Sequence, residues 1–386
     1  MRSVLGLVAL AALTMLGCGG ATSNNPTPCF TPQPGVIYLD RDAIFVANSG
    51  SSSVSAFQSI GPMAAGPVCG SPFPMSAPPT ALGGGGSPPS SEILDLIVLS
   101  APQKTISLFN VDFLTSVLTG PVATITTPYT PVAVAVWKDF LYVANAEGSV
   151  WAYQVSGEGA VVTQLGGSPF PAGSGPAAIA AAEPGLLYVA NSQSNNITGY
   201  TLNPNTGVPT PLPGSPFPAG IGPSSVEVAP PMYPNPLGGT TLVIVTNAGS
   251  NNVSVYSVSG AGGLMPVPGS PFAAGAAPTS SATGNYLPLR YVYVANSQSN
   301  NISGYSINDA TGVLTPLTNS PFPAGEQPLS VAVSIGGVFL YAANTGSNSL
   351  SVYSIDQSSG ALAPVSGSPF PVGQSPGAVL YFQVPQ

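Results

Sequence analysis

Tyr293–Phe322 reads YVANSQSNNISGYSINDATGVLTPLTNSPF. Short runs rich in Val, Ile, Leu and Tyr alternate with polar turns. The apolar positions recur with period two, as they must where successive side chains point to opposite faces of a sheet. No part of the stretch has helical spacing over a useful length. Ser297–Asn301 joins two of the runs. Asparagine accepts left-handed backbone angles and bonds its own backbone, so it suits a tight connection. Gly312 stands where the next turn calls for a positive φ. The stretch is strand, turn, strand, turn, strand, closed by Ser-Pro-Phe.

The same unit recurs along almost the whole chain. Proline-led runs open it at Pro131–Val136, Pro176–Ala181, Pro223–Val228 and Pro328–Val333. A second run ends at Asn48, Asn145, Asn191, Asn247, Asn296 and Asn344. A third ends on an aromatic residue at Phe57, Phe109, Tyr153, Tyr200, Tyr256, Tyr305 and Tyr353. Ser-Pro-Phe follows at Phe73, Phe170, Phe217, Phe272, Phe322 and Phe370. Its proline lacks an N–H and is expected to end strand pairing, leaving the phenylalanine to pack between neighbouring units. Between Phe73 and Phe170 lies a degenerate copy with Ile97–Ser100, Ile106–Phe109 and, in place of Ser-Pro-Phe, Gly120–Ile125.

Units of about 50 residues with four short strands are the pattern of a β-propeller. The fold class is all-β, a seven-bladed β-propeller with about four antiparallel strands per blade. The expected blades are 35–78, 79–128, 129–173, 174–220, 221–275, 276–325 and 326–373, within one domain at 35–386. Pro34–Tyr38 and Pro376–Tyr381 both read as first strands. A closing strand is therefore expected within 376–386, with Ala378–Gln383 completing the blade that holds Asn48 and residues 36–39 short or displaced.

The Tyr-Val-Ala-Asn runs, the third strand at Asn251–Tyr256 and the fourth-strand Thr311–Leu314 resemble the YVTN-repeat, lactonase-type seven-bladed propeller family over roughly residues 35–386. The enzyme branch of that family resembles 6-phosphogluconolactonase, so the resemblance implies sugar-lactone hydrolysis. This sequence shows no match to an enzyme site of that branch, and Ala replaces Thr in most of the repeats. What carries over is the fold, which does not by itself imply a function.

The N-terminus reads as an export signal over residues 1–17. Arg2 gives the positive start and Val4–Leu16 the apolar run, too short for the ~20 residues that span a bilayer. The run ends Met-Leu-Gly-Cys and resembles a bacterial lipoprotein signal, which implies lipidation at Cys18. Ordinary cleavage a few residues later, with Cys18 lost, is the alternative. Residues 18–34 read as a flexible tether. Export implies an oxidising space in which Cys29 and Cys69 can pair, or stand apart unpaired. The expected location is the bacterial cell envelope, periplasmic or at the outer surface, with membrane contact only through the lipid anchor.

Composition excludes several chemistries. The 386 residues include no histidine, 5 cations and 13 anions, for a net charge of −8. His-based triads, His metal sites and His acid–base catalysis are thereby removed. The scattered cations make no phosphate-tracking surface, so no nucleic-acid partner is expected. No cofactor, metal or catalytic residue is assigned. The six strand-ending asparagines, Asn48, Asn145, Asn191, Asn247, Asn296 and Asn344, have two readings: a polar ring around the channel, or caps of their own turns, which repetition favours. The in-register tyrosines read as inter-blade packing. Asp40, Asp42, Glu92, Asp95 and Glu147 read as solvated. Glu183, Glu227 and Glu326 come from different blades and would meet only at the channel. Asn196, Asn252 and Asn301 match the N-glycosylation pattern but fit hairpin turns. The leading expectation is a monomeric envelope binding or scaffold module for a protein or carbohydrate ligand. The alternatives are a sugar-lactone hydrolase and a passive surface protein.

Overall fold

The computed structural model describes residues 41–60, 63–84, 96–112, 115–157, 160–231, 239–286, 289–334 and 336–383. The signal, Cys18, the tether, Cys29, residues 36–39, Asp40, Glu92 and Asp95 lie outside them. Within them the chain forms seven antiparallel sheets. Blade 4 is representative: Pro176–Ala182, Leu186–Asn191, Asn196–Leu202 and Pro209–Pro211 lie side by side in that order.

Each blade is sandwiched between two others, so its second strand has no wet face. Phe140–Asn145, Leu186–Asn191, Leu242–Asn247 and Phe339–Asn344 are buried at every residue. That is why these runs read as continuous hydrophobic stretches. The core sits in the seams. Tyr188, Leu212 and Phe217 of blade 4, for example, pack with Val226, Val243 and Tyr256 of blade 5. The first strands stand next to one another around the axis, and Pro376–Gln383 touches both Pro328–Val333 and Ala81–Gly83. Pro376–Gln383 also pairs with Arg41–Asn48, Ala378 opposite Ala47 and Gln383 opposite Asp42. The C-terminal strand thus completes the blade that holds Asn48, as expected.

Two expectations are corrected. Pairing does not end at Ser-Pro-Phe-Pro. It breaks at Ser-Pro and resumes for two residues, with Phe73, Phe170, Phe217, Phe272, Phe322 and Phe370 opposite the starts of the third strands. The serine explains the motif. In all six copies its hydroxyl accepts a third-strand backbone N–H at 2.8–2.9 Å, for instance Ser320 Oγ from Gly304 N. It replaces the ladder acceptor that the break removes. In blade 2, which lacks the motif, Leu118–Thr126 is a single strand along Thr105–Val111, with a register shift between Leu108 and Asn110.

The turn asparagines hold left-handed angles, Asn195, Asn251, Asn300 and Asn348 at φ of 54°, 54°, 53° and 50°. Their side chains, however, do not bond their own turn backbone as expected. Each Oδ1 accepts an N–H from the next blade's approach, at Gly222, Ala277, Gln327 and Ser375, at 2.8–2.9 Å.

The tyrosines clasp the blades in both directions. Second-strand Tyr142, Tyr188 and Tyr293 donate forward to the carbonyls of Gly207, Gly262 and Gly360 in the next blade, at 2.6, 2.6 and 2.8 Å. Third-strand Tyr200, Tyr256, Tyr305 and Tyr353 donate back to Pro171, Pro218, Ala273 and Pro323 of the preceding blade.

Candidate functional site

The first strands enclose a cavity of about 430 Å³ at the ring centre. Its walls draw on every blade, with aliphatic side chains such as Leu82, Val134, Val228, Val333 and Leu380. One carboxylate interrupts them, Glu227 on Pro223–Ala229. The corresponding positions after the opening proline carry alanine in other blades: Ala135, Ala180, Ala282 and Ala332. The closing strand carries Leu380 there, so the position is otherwise apolar and Glu227 is a departure from the repeat.

The first strand of blade 6, Pro278–Tyr286, holds this carboxylate. Ser281 Oγ donates to Oε2 at 2.9 Å. Thr283 donates to Oε1 twice, from its N–H and from its hydroxyl, both at 2.7 Å. Burial pushes the Glu227 pKa up, while the bonds from Thr283 and Ser281 and the charge of Arg290 pull the other way without cancelling it. The result is a carboxylate of raised basicity facing a central cavity, with two hydroxyls beside it.

The three glutamates from different blades do not converge. Glu183 accepts from Trp137 Nε1 at 3.0 Å. Glu326 lies in a separate cleft with Ser297, Gln298 and Asn300, where blade 6 passes to blade 7. Glu147 is spent on Thr130, accepting from its N–H at 2.9 Å and its hydroxyl at 2.8 Å. Among the described residues no group of three or more acidic, Cys or His side chains makes a metal cradle.

The six asparagines form no channel lining. Asn48, Asn145, Asn191, Asn247, Asn296 and Asn344 are each 0% exposed. Asn296 is typical. Its Nδ2 donates to Asn301 Oδ1 and Ser303 Oγ, both at 2.9 Å, and its Oδ1 accepts from Gly275 N of the preceding blade's exit at 3.1 Å. Asn191 and Asn247 repeat this with Gly173 and Gly220. All six donate within their own hairpins, and Asn191, Asn247 and Asn296 add a tie between blades. Asn196, Asn252 and Asn301 are likewise engaged, each accepting from the strand-ending asparagine of its own hairpin at 2.9 Å. Cys69 is disulfide-bonded, and its partner lies outside the described residues.

Sequence reasoning missed Ser281, Thr283 and the ion pair of Arg290 with Asp309. The signal was available in the alanine register: Glu227 is the acid that breaks it. The hydroxyl partners gave no such signal, because Ser and Thr are common throughout the chain.

Residues 288–380 match the family described as lactonase, 7-bladed beta-propeller. A putative 6-phosphogluconolactonase from Bacteroides uniformis superposes with a TM-score of 0.70 at 18% identity, covering 89% of this chain and 100% of that one. A second, from Bacteroides fragilis, gives 0.70 at 16% identity over 91% and 100%. The fold is that of the lactonase-type seven-bladed β-propellers. A periplasmic gluconolactonase from Pseudomonas aeruginosa also aligns with this propeller, at a TM-score of 0.68 and 18% identity over 89% and 100%. No curated protein matches it in sequence.

Proposed function

We propose that this propeller hydrolyses sugar lactones in its central channel, with Glu227 as the general base. The observation that carries the reading is the half-buried carboxylate of raised basicity facing the cavity. The lactonase-type fold supports the reaction class. The ionised Glu227 takes a proton from a water. The water oxygen bonds to the lactone carbonyl carbon, and the tetrahedral adduct collapses by breaking the ring C–O bond. The proton returns from Glu227 to the departing ring oxygen, giving the open hydroxy acid. The expected substrate is unphosphorylated. The cation that acts on Glu227 is Arg290, which already pairs with Asp309 at 3.1 Å, and net charge is negative. Action in the cell envelope, after export, is part of the same proposal.

The test is acid release from glucono-δ-lactone, followed in a pH-stat with the full chain and with Glu227→Gln. The wild type is expected to turn over, and the variant to lose about 100-fold or more, the usual weight of a general base. A variant that keeps the wild-type rate overturns the assignment. The envelope binding module is a second reading, favoured by a carboxylate whose two oxygens already accept three donors. Saturable ligand binding without acid release supports it.

A further inference from the structure

We propose that Arg290 is a positioning residue for the Glu227 carboxylate: from blade 6 it ties down the end of the strand that carries Glu227 and sets a fixed positive charge in the same seam. The inference rests on the general-base reading of Glu227.

Arg290 is the cation that the blade fold does not require. Six residues before the strand-ending asparagine, other blades carry Asp139, Gly185, Thr241 and Val338. Here the side chain is 0% exposed, a placement that desolvation makes costly unless every donor is used well. Its Nη2 donates to the carbonyl of Ala229 at 3.2 Å, two residues beyond Glu227 on the same strand. Its Nη1 donates to Asp309 Oδ1 at 3.1 Å and to the Thr240 carbonyl at 3.5 Å. Asp309 reinforces the hold, since its own carbonyl accepts from Thr240 N at 3.4 Å. Two departures from the repeat, an acid in an alanine position and a buried arginine, thus meet between blades 5 and 6.

The charge has little competition. Pro176–Ala182, Pro223–Ala229, Leu242–Asn247 and Pro278–Tyr286, the strands around Glu227, carry no other Asp, Glu, Lys or Arg. Asp309 neutralises Arg290 in part, and its side chain is 26% exposed, so solvent screens it. Arg290 accordingly acts on Glu227 as a net positive charge.

The experiment reads Glu227 directly. Carboxyl ¹³C NMR of Glu-labelled full chain, with Glu227→Gln identifying the resonance, gives its titration midpoint in wild type, Arg290→Met, Arg290→Lys and Asp309→Asn. Arg290→Met is expected to raise the midpoint, because a nearby positive charge favours the ionised carboxylate. Arg290→Lys is expected to restore most of it, and Asp309→Asn to lower it by unmasking the arginine. In the pH profile of kcat for lactone hydrolysis the acid limb should move by the same amount, with KM within about twofold. A midpoint that stays put in folded Arg290→Met overturns the proposal. If Arg290→Met does not fold, an unmoved midpoint in folded Asp309→Asn does so. If the midpoint moves but no variant nor wild type hydrolyses a lactone, the general-base reading falls and the Arg290 coupling stands.

Discussion

Asn296 shows how much one side chain does in this ring. Its amide uses both ends, donating to Asn301 and Ser303 in its own hairpin and accepting from Gly275 across the seam. The gap it fills admits nothing else, for a Cβ on Gly275 would stand 2.7 Å from the Asn296 Cγ. Truncating Asn296 to Ala leaves the half-buried Gly275 N–H without its acceptor, a loss of about 1–3 kcal/mol. Urea unfolding is expected to show a lower midpoint with an unchanged slope. A midpoint equal to wild type would mean that solvent reaches the seam. Glu227 gives the second residue-scale prediction. Its folded pKa lies above the ordinary value of 4.5. The folded state therefore holds its proton to higher pH than the unfolded chain. The stability this confers is fully present below pH 4.5 and is lost as pH rises through the folded value. Thermal unfolding from pH 4 to 8 should fall more steeply in wild type than in Glu227→Gln. Parallel curves would show that burial does not perturb the carboxyl.

At the level of elements, the serine of Ser-Pro-Phe is the part that sequence reading understood least. The motif was visible because it repeats, and its phenylalanine was assigned to the seams correctly: Phe217 and Phe322 are buried there. The serine's role was not visible. It depends on a break in pairing whose place only the register reveals, with Ser320 Oγ standing in for a strand carbonyl at 2.9 Å. Ser320→Ala leaves the Gly304 N–H unpaired, and a loss of about 1–3 kcal/mol is expected in denaturant titration. Ser320→Thr, which keeps the hydroxyl, should recover part of it. Equal stability of the alanine variant would mean that the N–H finds another acceptor. The closing strand was legible for the opposite reason. Pro376–Tyr381 repeats a first strand beyond the seven units, and the blade that holds Asn48 lacks one. The candidate site lay between these cases. Glu227 broke an alanine register that could be counted, but its hydroxyl partners are ordinary residues. Their meaning comes from the way blade 6 lies against blade 5.

For the molecule as a whole, the tyrosine clasps connect stability to pH at the alkaline end. Phenols on the second strands reach forward and those on the third strands reach back, so the ring is tied blade to blade by neutral hydroxyl donors. Only the protonated phenol can donate. Burial pushes Tyr153 and Tyr200 up to about 12, and Tyr142, Tyr188 and Tyr293 higher still. In the unfolded chain the same groups titrate near 10. Between these values the folded state holds more protons than the unfolded state. The tyrosines' contribution is therefore fully present below about pH 10 and is lost as pH rises through their folded values. Because the clasps share one closed ring, their loss should be collective. Absorbance at 295 nm is expected to rise together with loss of the β-sheet circular dichroism, above the range in which free phenols ionise. Removing residues 376–386 opens the ring between blades 7 and 1 and should move this rise toward pH 10. A single ionisation near pH 10 with the sheet signal intact would show that the clasps do not hold the blades together.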